Sequence, residues 1–262
     1  MLILLPPSEG KVAARRGAPL DHASLSLPAL HEPRAQVLDA LVTLCTAGTP
    51  EGQARAREVL GLGPTQAGEV TRNASIAGAP TARADQVYAG VLYEALDVSS
   101  LPPPARRRAT SRLAITSALL GLVRPADRIP AYRLSGQVSL PGVGPIGTFW
   151  GRHLGPVVAE AAGAGLVIDL RSSAYTPFWR PPRELAGTVV TVRVLHEVAG
   201  RRAVVSHFNK ATKGRLVRDL LIDGSTPRRP SQLVDLLGDL GWVVETPDPS
   251  DATKVDVVVS AL

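Results

Sequence analysis

The sequence predicts an α/β protein: one domain, residues 1–262, with a mixed β-sheet flanked by helices. Three observations predict it. Apolar runs of strand length, "LILL" at 2–5, "LVIDL" at 166–170 and "VDVVV" at 255–259, stand among longer segments whose apolar residues recur at helical spacing. Hydrophobic residues make up 45% of the chain and charged residues 20%, ordinary globular usage that excludes wholesale disorder. At 262 residues the chain is long enough to bury a full core, and no repeat or low-complexity tail breaks it up.

Taken in order, "LILL" is a buried strand stopped by Pro6 and Pro7. Leu38, Leu41, Val42 and Cys45 follow the i, i+3, i+4, i+7 pattern and predict a core-facing helix over 35–45. A second helix is predicted near 54–61, followed by a loop rich in Gly, Ala and Thr. Pro102 to Pro104 stiffen the connection into a helix over roughly 105–122. The stretch "RIPAYRLSGQVS", 128–139, contains Pro130, Gly136 and Val138 without a helical repeat, and reads as loop and strand. The next residues, "LPGVGP" at 140–145, read like the turn of a DNA-binding helix-hairpin-helix. That motif needs an amphipathic helix before its turn, and none precedes this one, so a tight turn between two extended segments is predicted. A helix carrying Leu154, Val157, Val158 and Ala161 leads to strands at 166–170, 188–195 and 203–207. Helices at 209–221 and 231–240 and strands at 242–246 and 255–259 complete the chain.

Cys45 is the one cysteine, so neither an internal disulfide nor a cysteine zinc cluster is expected. His22, His31, His153, His196 and His207 show no metal-ligand spacing, and no metal or other cofactor is expected. No apolar run approaches the ~20 residues of a membrane span, and "MLILLPPSEGK" is too short and too soon broken by proline for a signal peptide. The expectation is a cytoplasmic protein without membrane contact. The net charge of +6 favours an anionic partner.

Four stretches carry candidate chemistry. In "SHFNKATKGRLVRDLL", 206–221, Leu216, Val217, Leu220 and Leu221 form a buried stripe, and Lys210 and Lys213 fall on or beside it. Buried cations near a helix N-terminus are opposed by the helix dipole, so either an anion neutralises them or both side chains snorkel outward. Gly214 permits close approach of a backbone or ligand. In "VIDLRSSAYTPFW", Asp169, Arg171, Ser172 and Tyr175 follow a buried strand, where open α/β sheets place ligands; Asp169 and Ser172 could equally cap a turn. In "GLVRPADRIPAYRLS", Arg124, Arg128 and Arg133 surround Tyr132, and arginine forks beside an aromatic can clamp phosphate and stack on a base. The N-terminal "PPSEGK" lacks the spacing of a P-loop, yet Glu9 with Lys11 suits acid/base work, or Glu9 neutralises Lys210 or Lys213.

With "MLILLPPSEGK", "VYAGVLYEALD" (87–97), "GLVRPADRIPAYRLS" (121–135), "FWG" (149–151), "VIDLRSSAY" (167–175) and "SHFNKATKGRLVR" (206–218) in this order, the chain resembles the peroxide stress protein YaaA family over nearly its whole length. The resemblance implies a cytoplasmic protein of unusual topology that limits oxidative damage by lowering free iron and binds double-stranded or distorted DNA. Pro7, Arg124, Pro125, Tyr132, Arg133, Trp150, Leu170, Ser172, Tyr175, Lys210, Gly214 and Arg218 match the family pattern. Two departures stand out. Many members read Ser-Pro-Ala-Lys at the start, where this chain has its lysine at 11. The family's Asn-Leu-Ala-Ser becomes Asp169 to Ser172 with Arg171 inside it, which adds charge to the suspected pocket.

Two functions follow as expectations. In the first, Lys210, Lys213, Arg218, Arg124 and Arg133 form a basic concave face, with Tyr132, Arg171, Ser172 and Tyr175 beside it. That face contacts duplex or bubble DNA with weak sequence preference. In the alternative, the chain is an enzyme acting on a small anionic, phosphorylated or nucleobase-containing substrate, with Lys11, Glu9, Asp169 and Lys210 as catalytic candidates.

Overall fold

A computed structural model describes residues 1–198, 201–203, 206–248 and 250–259, with 198, 201–203 and 206–208 described by their backbone alone. The strands are β1 (Leu2–Leu5), β2 (Ala82–Arg83), β3 (Leu113–Ser117), β4 (Gly121–Val123), β5 (Arg128–Ile129), β6 (Ser139–Leu140), β7 (Gly144–Pro145), β8 (Val167–Asp169), β9 (Val189–Val198), β10 (Arg201–Ala203), β11 (Val243–Glu245) and β12 (Lys254–Val259). The helices are α1 (His31–Cys45), α2 (Pro50–Leu60), α3 (Ala67–Ala74), α4 (Ala84–Val87), α5 (Val91–Leu96), α6 (Pro103–Arg112), α7 (Ile146–Ala162), α8 (Ser206–Asp223) and α9 (Pro230–Asp239).

One sheet organises the chain, in the order β11-β12-β9-β8-β1-β3-β4, with β10 paired to β9. β1 lies parallel between β3 and β8, β8 is parallel to β9, and β9 to β12. β4 and β11 close the two ends antiparallel, so the sheet is mixed as expected. Leu2, Ile3, Leu4 and Leu5 of β1 are buried on both faces, and burial on both faces makes a parallel strand read as an unbroken apolar run. Helix ends follow local chemistry as well. Thr49 caps α2 by accepting from the Gly52 N–H, Pro50 opens its first turn, and Gly61 stops it at φ 63°.

Two elements differ from expectation. The helix expected over 105–122 ends at Arg112, and the chain continues as β3 and β4. All five residues of β3 are buried, so "LAITS" carries no alternation that separates it from a helix, and no glycine or proline marks the boundary. The loop expected after the second helix contains α3, α4 and α5, helices of only eight, four and six residues that depend on tertiary packing rather than on local propensity. The strand expected at 203–207 lies partly outside the described residues; Ala203 ends β10, and Ser206 already belongs to α8. The glycine turn at 140–145 is a β-hairpin, Leu140 opposite Gly144, with Gly142 at φ 79° and Gly144 at φ 85°. α7 follows it directly. Among the described residues no helix is long and apolar enough to cross a membrane.

Candidate functional site

β1 continues to β3 on one side of itself, whereas β8 continues to β9 on the other. The strand order therefore reverses between β8 and β1. Loops leaving the carboxyl ends of two such strands diverge and open a crevice. Here those loops are 6–11 and 170–179.

Loop 6–11 is fixed by its backbone. Lys11 forms an isolated antiparallel bridge with Tyr88, the Val12 N–H donates to Val87 O (2.9 Å), and the Ala89 N–H donates to Ser8 Oγ (3.1 Å). The chain contains four tyrosines, and all four are buried around this loop. The Tyr93 hydroxyl donates to Pro6 O (2.6 Å), and Tyr175 donates to Glu9 Oε1 (3.3 Å). Tyr88 and Tyr132 share a hydrogen bond of 2.9 Å, and Tyr132 meets Ser117 Oγ, at the end of β3, at 2.8 Å. Burial pushes the Tyr88 phenol up to about 12 and holds Tyr93, Tyr132 and Tyr175 above the ordinary range. These hydroxyls stay protonated and act as donors.

Lys11 sits in this frame. Its Nζ lies 4.2 Å from the Tyr132 ring centroid and 5.7 Å from that of Tyr88. It donates to Ser8 O (2.9 Å) and Glu9 O (3.4 Å). Desolvation is the main cause of a pKa lowered to about 8; Glu9 opposes the shift and Arg133 reinforces it. The Glu9 carboxylate is half exposed and meets Arg133 Nη1 at 3.2 Å. Arg133 is in turn located by the buried Asn73 of α3, which accepts from its N–H (2.9 Å) and donates to its carbonyl (2.7 Å). Lys11, Glu9, Tyr132, Arg133 and Tyr175, drawn from three separate candidate stretches, thus form one cluster.

At the neighbouring end of β8 the chemistry is closed on itself. Arg171 pairs with Asp169 through two hydrogen bonds (2.9 and 2.7 Å) and also donates to Tyr175 O (3.0 Å) and Trp179 O (2.8 Å). Arg171 was expected to add charge to the pocket; its charge is instead neutralised by Asp169, and its fork ties down the loop that carries Tyr175. Asp169 is spent in that pair. Ser172 is exposed and heads the short turn over 173–178.

The lysine helix corrects a second expectation. Lys213 is buried, donates to Leu170 O (2.9 Å), and has its pKa lowered to about 8 by desolvation, against an opposing influence from Asp169. Lys210 is exposed, although helical spacing sets it one turn before Gly214, which packs on the α5 backbone. Water solvates an ammonium there at no desolvation cost. Glu9 neutralises neither lysine.

The remaining arginines do not join these residues on one face. Arg218 donates to Leu96 O and Asp97 O (both 2.9 Å) at the end of α5. Arg124 donates to Ser111 O (3.0 Å) and Leu113 O (2.9 Å) at the start of β3, the amino end of the parallel strands, whereas Lys11 follows the carboxyl end of β1. Arg128 donates to Thr81 O (2.6 Å). A separate groove of about 870 Å³ runs between α1, α2, the glycine hairpin and α7. Arg55, Arg152, Asp39, Gly142 and Phe149 are among its lining residues. Sequence reasoning missed Tyr88, Tyr93, Ser117 and Asn73 at the cluster and Arg55 and Arg152 at the groove. The scarcity of tyrosine, and its recurrence inside the family-like segments, was the available signal for the first two. Among the described residues, no three or more His, Cys, Asp or Glu side chains gather as a metal-binding set.

A family model described as "Peroxide stress protein YaaA" matches residues 1–244. A UPF0246 protein of Streptomyces coelicolor is 52% identical over 262 residues, covering 99% of this chain and 98% of the relative. UPF0246 proteins of Corynebacterium efficiens and Corynebacterium glutamicum are 40% and 37% identical, covering 98% and 99% of this chain and 100% of each relative.

Proposed function

Since the chain belongs to the peroxide stress protein YaaA family, we propose that it protects against hydrogen peroxide by binding double-stranded or distorted DNA, in a role linked to lowering free iron. The observation that carries the DNA reading is the groove beside the glycine hairpin. Gly142 is exposed there, and the exposed Arg55 and Arg152 line the same cleft. The backbone at Gly142 and two guanidinium forks suit phosphate oxygens and carry no base readout. The net charge of +6 supports attraction over a longer range. The iron link rests on the family resemblance.

Fluorescence anisotropy of labelled duplex, bubble and single-stranded DNA, measured over about 50 to 200 mM salt, tests this reading. Wild-type affinity is expected to fall steeply with salt and to differ little between sequences. An Arg55→Glu/Arg152→Glu variant is expected to bind at least about tenfold more weakly, with a shallower salt slope. Undetectable wild-type binding at low salt discards the DNA reading, and an unchanged variant moves it off this groove.

One observation favours a second reading, an enzyme acting on a small phosphorylated or nucleobase-containing substrate. Lys11 is desolvated beside Glu9, Arg133 and Tyr175 at the point where the strand order reverses. Calorimetric titration with nucleotides and sugar phosphates tests it, binding being expected to weaken in Arg133→Ala.

A further inference from the structure

We propose that Lys11 forms a Schiff base with a phosphorylated sugar aldehyde. The inference deepens the second reading and rests on it, adding the substrate class and the reacting atom. Lys11 Nζ has two carbonyl acceptors, Ser8 O at 2.9 Å and Glu9 O at 3.4 Å. A neutral amine keeps two N–H groups, so this pair of acceptors serves it fully and leaves its lone pair uncommitted. Among the described residues no carboxylate hydrogen-bonds Nζ. The groups around it are Glu9, Arg133, Tyr88 and Tyr132, with Glu69 and Arg72 acting from farther away. The lowered pKa leaves a useful fraction of free amine near neutrality. Lys213 has a similar shift but is buried against Leu170 O, whereas Lys11 stays partly accessible beside the exposed Glu9.

The neighbours supply the rest of the chemistry. As the N–C bond forms, the carbonyl double bond opens. The carbinolamine so formed then loses its C–O bond, and the free amine, the aldehyde and one proton become a protonated imine and one water, with one amine proton and the supplied proton leaving on the former carbonyl oxygen. The balance needs no oxidant or reductant. The Glu9 carboxylate, oriented by the hydrogen bond that the Tyr175 hydroxyl donates to it at 3.3 Å, carries those protons, and the Arg133 guanidinium takes the phosphate. The same aldehyde chemistry occurs in free 2-deoxyribose 5-phosphate and in the opened sugar of an abasic site in DNA.

Sodium borohydride trapping of the full chain tests the proposal, with either 2-deoxyribose 5-phosphate or an abasic-site duplex as probe. Borohydride supplies the hydride that turns the imine into a stable secondary amine, which intact mass and peptide mapping then locate. The expected result is one adduct per chain on the Lys11 peptide, reduced about tenfold or more in a folded Lys11→Arg variant. Trapping by one probe and not the other assigns the source of the aldehyde. Absence of an adduct, or its appearance on Lys213, on exposed lysines or on the Met1 amine, whose pKa burial also lowers, overturns the proposal. Mapping on the wild type keeps the test valid if the variant fails to fold. Calorimetric binding of 2-deoxyribose 5-phosphate without an adduct keeps the second reading and overturns the Schiff base. Binding of undamaged bubble DNA, measured in parallel, reports on the first reading separately.

Discussion

Lys213 is buried with one carbonyl acceptor, so its charge is held in the folded chain at a cost. Burial lowers its pKa from 10.5 to about 8. Above about pH 8 the folded protein therefore releases a proton that the unfolded chain keeps until about pH 10.5. The unfolded state binds more protons in that window, and this residue's contribution to stability rises with pH across it; below the window the full cost remains. Urea unfolding of wild type and Lys213→Met, at about pH 7 and about pH 9.5, is expected to show the wild type gaining about 2 kcal/mol relative to the variant. A pH-independent difference would mean that Lys213 titrates normally. Lys210, three residues earlier, serves as the exposed control. Both lysines were legible as unusual. Which of them is buried was not, because helical spacing places the two within a narrow arc and only the packing against α5 and the end of β8 separates them.

At the scale of elements, the crossing of α5 and α8 brings Lys213 to the end of β8. Gly214 lies at that crossing, and a Cβ there would collide with Leu92 O, with Ala95 Cβ at 2.8 Å and the Leu96 N at 3.0 Å. Two of those three neighbours are backbone, so relief requires the helices to separate. Gly214→Ala is expected to cost about 3 kcal/mol, seen as a lower urea midpoint, despite alanine's better helix propensity. A neutral or stabilising result would mean that α5 and α8 leave room for a methyl group at this crossing. The sequence indicated close approach at Gly214; it left open whether a ligand or a backbone filled the space. The error at 105–122 has a related cause. β3 is buried on every residue, so its pattern reports depth and conceals the backbone period.

Across the whole molecule the sheet sets a gradient of local stability. β1 has parallel partners on both sides and no solvent face, while among the described residues β11 pairs only with β12 and holds the exposed Val243. Amide hydrogen exchange is expected to be slowest in residues 3–5, opening only with global unfolding, and fast in 243–245. Uniform protection would contradict this sheet order. The sequence by itself determined the α/β class, the apolar strands β1, β8, β9 and β12, and the helix α1, because long apolar runs and clear periods are local consequences of burial. It also named Lys11, Glu9, Tyr132, Arg133 and Tyr175 as chemically suggestive. Tertiary structure alone decided that these five meet, that Asp169 and Arg171 neutralise each other, and that Arg124 lies at the opposite end of the strands. The reason is physical: a reversal of strand order joins loops distant in sequence, and contacts between such loops leave no periodic trace in either one.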